Sequence, residues 1–293
     1  MINLVKAREW LGRVDVRAAR AEPAQLAALL AMLDPAEPAP ELGGELPPLA
    51  HWLYFRSWGR HSEIGEDGDF LDPFLPPIEL PRRLCVETRI AYHRALRIGD
   101  PLSRVSRVVD VAEKAGRAGP IVTLLVRHEI ADAIGVGRSE DRRILYMTRG
   151  EPWSADESRR PRGGAVWSRR FQADTRALFR YSALTSDARR IHYDRPFATF
   201  VEGHPGLVVP SGLVAALLLN LLHAHAAPAR LAHFEFRSVR WLYDIEPVSL
   251  FGRPVDSRTV ELWAEDSRSR LAMDAIAILD PEPAFDPAPE RVR

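Results

Sequence analysis

The residues best suited to chemistry lie in the segment SDARRIHYD, residues 186–194, which places an acid, Asp187, five residues before an imidazole, His192. A carboxylate and an imidazole that face one point can hold a water molecule and take its proton. The segment EGHPGLVVPSGLVAALLL, residues 202–219, follows, and its Gly/Pro turn leads into an apolar helix. The first N–H groups of such a helix can stabilise an oxyanion. Together these groups can add water to an α,β-unsaturated thioester, or remove water from a β-hydroxyacyl thioester.

The turn before that helix limits which amides can bind the oxyanion. It reads Pro210, Ser211 and Gly212. Proline has no N–H to donate. We therefore expect the backbone N–H of Ser211 or Gly212 to be the donor.

Composition and charge describe the class of protein. Of 293 residues, 46% are hydrophobic and 27% are charged, which is typical of a globular chain with a sizeable core. Forty basic and forty acidic residues cancel, so no overall field attracts nucleic acid or a membrane surface. Nearly all the basic residues are arginine, and Lys6 and Lys114 are the two lysines.

A single cysteine, Cys85, excludes a disulfide framework and a cysteine metal cluster. The N-terminus lacks the apolar core of a signal peptide, and the apolar run 213–222 is too short to span a bilayer. We expect a cytoplasmic protein. His223 and His225 have no evident third ligand, so no metal site is predicted.

Periodicity in the first part of the chain predicts helices. Apolar residues recur with helical spacing in 2–11 and 23–33, and the aromatic segment 49–58 predicts a short buried helix. The Pro/Gly-rich segments 34–48 and 65–81 predict loops.

Residues 84–147 change to alternating apolar and polar residues separated by turns, which predicts an antiparallel meander of about four strands. The polar, turn-rich segment 150–165 predicts a boundary between two units, 1–150 and 151–293.

The second unit repeats this order of helices followed by strands, and its sequence pattern marks the elements more clearly. It has a predicted strand at 166–173, a helix at 174–184 capped by Asp174 or Thr175, and a long helix at 211–225, followed by further strands. A helix that is apolar on every face must be buried on every face. These patterns predict an α+β fold of two tandem units, each an antiparallel sheet around a central helix, with the two sheets paired edge to edge.

Residues 178–219, LFRYSALTSDARRIHYDRPFATFVEGHPGLVVPSGLVAALLL, resemble the MaoC-like hydratase/dehydratase superfamily of hot dog proteins. The closest likeness is to its double hot dog branch of mesaconyl-CoA and itaconyl-CoA hydratases and hydroxyacyl-thioester dehydratases. LPPLAHWLYF, FLPPIELPRR and IAYHRALRIGDPLSRVSRVVDV extend this resemblance through the first half. The superfamily signature is an acid, any residue, Asn-Pro, an aliphatic residue and His. Residues 187–192 match its spacing, with Arg189 and Arg190 in place of Asn-Pro.

The resemblance implies a tandem (double) hot dog fold and reversible hydration of an enoyl thioester by water activated at Asp187 and His192. It implies that the first unit is degenerate and supplies a wall of the acyl pocket. The partner would be an acyl-CoA or acyl-carrier thioester, including a short dicarboxylic one such as mesaconyl- or itaconyl-CoA. No metal or redox cofactor is expected, because the substrate itself carries coenzyme A. The chain would be a pseudo-dimer, which leaves further homodimerisation open.

Three arginines near the motif, Arg180, Arg189 and Arg190, are candidates for binding a substrate carboxylate or the phosphates of coenzyme A, since a guanidinium forks onto either group. The alternative is that they are solvated charges, or that Asp187 or Glu202 neutralises them. Substrate binding is also assigned to three residues of the surrounding loop: Tyr193, Gly206 and Val209.

Two other histidines receive structural interpretations: a core residue for His51 and a turn residue for His204. Two other functions stay open at this point. One is a hot dog thioesterase, which the Asp/His spacing disfavours, and the other is a non-catalytic protein that binds acyl-CoA. The sequence has no phosphate-binding glycine loop, nucleophile elbow or paired-cysteine metal motif that would indicate another class.

Overall fold

A computed structural model describes residues 4–34, 41–56, 59–70, 72–116, 119–148, 162–226 and 229–280. These residues form one antiparallel sheet of ten strands in the order β1-β3-β4-β5-β2-β7-β10-β9-β8-β6. In sequence the strands are β1 Val14–Arg20, β2 Arg82–Tyr92, β3 Pro101–Gly116, β4 Gly119–Ala131, β5 Val136–Met147, β6 Trp167–Phe171, β7 Leu231–Ser238, β8 Val248–Pro254, β9 Thr259–Glu265 and β10 Leu271–Leu279. No helix in the described ranges has both the length and the apolar character to cross a membrane.

The sheet is two five-stranded halves joined where β2 pairs with β7, from Glu87 opposite Arg237 to Ala91 opposite His233. This joint is the predicted edge-to-edge pairing of the two units. The α-helices are α1 Leu4–Arg8, α2 Pro23–Leu33, α3 Thr175–Thr185 and α4 Ser211–Ala226. The predicted boundary segment, 150–165, lies mostly outside the described residues.

Helix α4 is the centre of the C-terminal half. Its residues from Leu213 to Leu219 are all buried, and they share one apolar cluster with β8, β9 and β10 and with residues of α2 and α3. The helix was predicted at 211–225 and ends at Ala226. A helix with no polar face is stable here because the curved sheet and the two other helices cover it on all sides.

The concave face of the N-terminal half is built differently. Two apolar clusters lie at its ends, one around Leu102 and Ile130 and the other around Val108 and Val126. Between them, on the same face of β4, His128 is buried and its Nδ1 is 2.8 Å from Ser106 Oγ. A polar belt therefore crosses the sheet where the other half has a fully apolar helix.

The first helices of the chain depart from the sequence predictions in their extent. Helix α2 has the predicted bounds, but α1 is a single short turn of helix within the predicted 2–11. The segment predicted as a helix at 49–58 is described up to residue 56, and within 49–56 the structure has a 3-10 helix, Ala50–Leu53, in place of an α-helix. Strand β1 was not predicted, because its Val14 and Val16 are largely exposed at the sheet edge and give no core signal.

Candidate active site

The end of α3 positions the acid. Asp174 caps the helix, and its Oδ1 accepts a hydrogen bond of 2.9 Å from the N–H of Ala177. The helix stops at Ser186, which has a left-handed conformation with φ 46°. The N–H of Asp187 then donates to Ser182 O at 2.9 Å, which fixes the carboxylate one residue beyond the helix.

The imidazole of His192 ends a 3-10 helix, Arg190–His192, and is 2% exposed. Its Nδ1 is 2.7 Å from Val208 O. A carbonyl oxygen can only accept, so Nδ1 carries the proton and neutral His192 has a bare lone pair on Nε2. Val208 is fixed in turn, because its N–H donates to Ile191 O and the next N–H, of Val209, donates to Leu242 O, each at 2.9 Å.

The Nε2 atom of His192 is 3.6 Å from Asp187 Oδ2. It is buried, and it has no hydrogen-bond partner within the described part of the chain. Both atoms are acceptors, so they cannot bond to each other directly. A single water molecule can donate one hydrogen to each, which is the arrangement that a hydration reaction needs.

The protonation states suit that role. Burial lowers the pKa of His192 to about 4, although the charge of Asp187 acts in the opposite direction, so the imidazole is a neutral base at pH 7. Burial alone would raise the pKa of Asp187. The charge and hydrogen bonds of Arg189 outweigh burial and hold the pKa of that carboxyl well below its usual range. Asp187 therefore orients the water as a carboxylate, and His192 is the better proton acceptor.

The arginines of the motif have carboxylate partners of their own. Arg189 binds Asp187 with both arms of its fork, Nε to Oδ1 at 2.8 Å and Nη2 to Oδ2 at 2.5 Å. Arg190 donates from Nε and Nη2 to one oxygen of Asp194, Oδ2, at 3.0 and 2.7 Å. Arg180 is exposed on α3 and lies outside the cleft lining. Two of the three are thus paired with carboxylates and the third is exposed, while substrate binding by any of them stays a prediction.

The predicted oxyanion donors are at the start of α4. Pro210 precedes the helix, and its carbonyl accepts from Leu213 and Val214. The N–H groups of Ser211 and Gly212 have no acceptor among the described residues, and Ser211 lines the same cleft as His192. Gly212 has no room for a side chain, since a Cβ there would lie 2.4 Å from the Tyr181 hydroxyl.

Both halves line the cleft at this site. Leu84, Cys85 and Val86 of β2 face His192 from the N-terminal half. The loop before β2 also touches the motif: the N–H of Arg190 donates to Asp67 O at 2.8 Å, and a Cβ on Gly68 would lie 1.8 Å from Ala188 O. The first unit thus forms part of the wall of this cleft, and its role as the wall of an acyl pocket stays a prediction.

The other predicted binding residues separate into two groups. Val209 is buried and lines the cleft, whereas Tyr193 is half exposed and Gly206 packs beside Asp244. His204 is more than a turn residue. It is buried edge-on to Trp241, with ring centroids 4.4 Å apart, in an adjoining part of the cleft.

That adjoining part also holds a buried ion pair between the halves, Arg82 to Glu202, with Nε 2.9 Å from Oε2. Sequence reasoning missed several lining residues, because they lie far from the motif on strands whose alternation only indicates a sheet, or in the loop after β7: Leu84, Cys85, Val86, Ser238, Arg240, Trp241, Leu242 and Met273.

Comparison with known proteins places this chain in a family. A family model described as hydroxyacyl-thioester dehydratase type 2 matches residues 49–244. The mesaconyl-C(4)-CoA hydratase of Chloroflexus aurantiacus is 37% identical over 268 residues, which cover 91% of this chain and 95% of that protein.

Solved structures support the fold. A MaoC-like dehydratase superposes with a TM-score of 0.71 at 13% identity, covering 93% of this chain and 99% of its own. A Mycobacterium tuberculosis protein described as having a double hotdog fold superposes with a TM-score of 0.60 at 13% identity, covering 92% and 96%. The predicted tandem hot dog fold is confirmed.

Proposed function

Because the chain belongs to the family of type 2 hydroxyacyl-thioester dehydratases, we propose that it is a hydro-lyase in which Asp187 and His192 activate one water molecule. The observation that carries this assignment is the bare Nε2 of His192, buried 3.6 Å from a carboxylate oxygen that is itself held charged by Arg189. Two acceptors at that separation bind a water molecule and leave its oxygen free to attack.

In hydration, the water oxygen forms a bond to the β-carbon of the enoyl group while one of its protons moves to His192 Nε2. The electrons of the double bond shift toward the carbonyl and place negative charge on the thioester oxygen. The N–H of Ser211 or Gly212 stabilises that charge, an interaction worth about 3 kcal/mol of barrier. The α-carbon then takes the proton back from the pair. Dehydration is the reverse sequence.

The proposal extends to the substrate. The relative from Chloroflexus aurantiacus is named for mesaconyl-C(4)-CoA, and we propose a short enoyl-CoA that carries a free carboxylate for this chain as well. The reaction as written uses no resident cofactor, since the substrate brings coenzyme A and the protein supplies the acid, base and oxyanion donors. A cytoplasmic location remains a prediction from the sequence, which leaves further homodimerisation open.

The decisive experiment follows the enoyl absorbance of crotonyl-CoA and mesaconyl-CoA in the presence of a thiol reagent. The wild type should consume the enoyl group without releasing free thiol. His192→Ala should lower kcat about a hundredfold or more, the usual contribution of a positioned base. The matched control is His93→Ala, an exposed histidine bonded to Ser139 away from the cleft, which should keep wild-type turnover.

Two results would contradict the proposal. Free thiol released in step with substrate loss would indicate a thioesterase. No change of either signal with the wild type would indicate a protein that binds acyl-CoA without converting it.

A further inference from the structure

The cleft that contains His192 has a second polar face, formed where β7 ends. Ser238 is the last residue of that strand, and Arg240 and Trp241 follow it. The N–H groups of Val239 and Arg240 both donate to Ala272 O, at 2.8 and 3.1 Å, so the backbone here is held against β10. Ser238 and Arg240 therefore stand at fixed positions in the wall of the cleft.

Both side chains carry buried polar atoms that lack a protein partner. Ser238 is 8% exposed, yet its Oγ makes no hydrogen bond within the described ranges, and the same is true of the buried Nε of Arg240. Native proteins satisfy nearly all such groups, and an unsatisfied donor in a cleft indicates where a ligand atom belongs. Both groups can donate to an anionic oxygen.

The other arginines of the cleft are each neutralised by a carboxylate, and Arg240 differs from them in this respect. Arg82 pairs with Glu202, Arg83 with Asp69 and Arg189 with Asp187. Arg240 has no carboxylate partner in the part of the chain that is described. Nearby Tyr243 does not supply one, because burial raises its pKa to about 12 and keeps it neutral.

The rest of the lining indicates what kind of molecule carries the missing anion. The same cleft that holds Arg240 and His192 is also lined by aliphatic and thioether side chains, among them Leu84, Val86, Val214 and Met273. Such a wall accommodates a short hydrocarbon group, and a guanidinium with a hydroxyl beside it accommodates a carboxylate.

We propose that Arg240 and Ser238 bind the free carboxylate of a dicarboxylic enoyl thioester while its double bond lies at Asp187 and His192. This inference rests on the proposed hydratase function and adds the residues that select the substrate. It also replaces the expectation that Arg180, Arg189 or Arg190 binds the carboxylate, since two of those are already neutralised and the third lies outside the cleft.

An anionic oxygen could also come from a phosphate of coenzyme A. The two sources separate when the thioester carrier is changed, because N-acetylcysteamine thioesters have the acyl group and no phosphate. The experiment measures kcat/KM for the mesaconyl and crotonyl groups on both carriers. The variants are Arg240→Met, Ser238→Ala and, as a matched control, the exposed Arg180→Met.

The quantity that tests the proposal is the ratio of kcat/KM for mesaconyl over crotonyl. On either carrier it should be about tenfold or more in the wild type, since one charge-assisted contact has about that weight. Arg240→Met should abolish most of this preference, Ser238→Ala should reduce it by a smaller factor, and Arg180→Met should leave the ratio at its wild-type value. If Arg240→Met does not fold, Arg240→Gln, which also removes the charge, and Ser238→Ala give the same test.

A wild-type ratio near one would overturn the inference and leave the hydratase assignment intact. A loss of kcat/KM in Arg240→Met that is equal for both acyl groups on coenzyme A and absent on N-acetylcysteamine would assign Arg240 to the phosphates instead. No hydration of any of these thioesters by the wild type would overturn the proposed function, and this inference with it.

Discussion

Each half of the molecule contains a buried histidine beside a carboxylate. The two pairs differ in whether both nitrogens of the histidine are bonded to other protein groups. In the N-terminal half, His51 Nε2 is 2.7 Å from Glu140 Oε2 and its Nδ1 is 3.0 Å from Arg138. Glu140 also accepts from the indole of Trp52 and from Arg142. In the C-terminal half, His192 has one nitrogen bound to Val208 O and the other open.

The comparison shows that burial and pKa do not by themselves identify the catalytic pair. Burial lowers the pKa of both His51 and His192 to about 4, so both imidazoles are neutral at pH 7. A pair whose polar atoms are all bonded to protein has no atom left for substrate or water. The pair with an open Nε2 at the cleft is the one that can perform chemistry.

The N-terminal pair should therefore govern stability. Glu140→Ala would leave Arg142 and His51 buried without their common acceptor, and we expect the free energy of unfolding to fall by about 3–5 kcal/mol. Denaturant titration measures this loss. The control is Glu129→Ala, an exposed glutamate on the adjacent strand, with an expected change within about 0.5 kcal/mol. Turnover per folded Glu140→Ala molecule should fall far less than it does for Asp187→Asn; an equal loss of turnover would erase the distinction between the pairs.

In the C-terminal pair, the negative charge of Asp187 should depend on Arg189. Arg189 lowers the pKa of both Asp187 and His192, so Arg189→Met should raise both and shift the acid limb of the kcat/KM profile, which His192 sets, upward by about 1–3 pH units. The matched variant is Arg190→Met, whose partner Asp194 lies outside the cleft, and its acid limb should stay in place. An unchanged limb in Arg189→Met would mean that Asp187 is not part of the pair that titrates.

As the pH is lowered, the stability of the protein should begin to fall at a higher pH than its catalytic activity does. His51, His128 and His192 are buried with lowered pKa values, so in the folded state they stay neutral while the unfolded chain takes up protons near pH 6.5. Stability is therefore complete above that pH. It should decline as the pH falls toward 4, by up to about 1.4 kcal/mol per pH unit for each histidine.

Catalytic activity should fall at a lower pH than stability does. Because His192 remains a neutral base, kcat/KM of the folded protein should stay level from about pH 7 to 5 and fall only near its pKa of about 4. His51→Gln and His192→Gln should each make the stability curve less steep, while only the second should lower turnover. An activity limb centred near pH 6.5 would contradict the buried, neutral His192.

The C-terminal half was the more predictable of the two. Its acid, its histidine and its oxyanion turn lie within 26 residues, 187–212, so local spacing and the apolar helix that follows predict their proximity. Asp174 as the cap and the long helix from Ser211 followed from the same local signals. Family comparison confirms the predicted hydratase or dehydratase class, while the individual site residues stay predictions.

The N-terminal belt could not be predicted, because it depends on contacts distant in sequence. Arg138, Glu140 and Arg142 alternate along β5 as charges on a solvent face would, and only tertiary structure shows that they point inward to His51. Arg240 was missed for a related reason. It follows the end of β7, far from the motif, and its significance is that among the described residues it lacks the carboxylate partner that Arg82, Arg83 and Arg189 each have.

The central claim is that Asp187 and His192 act on the same water molecule, and a double-mutant cycle tests it most directly. Asp187→Asn, His192→Ala and the double variant are compared with the wild type by kcat on the preferred enoyl-CoA, with melting curves recorded in parallel. If one water serves both side chains, either single change disables the pair. The double variant should then be about as slow as the slower single variant. Losses that multiply in the double variant would show two independent roles and contradict the shared water.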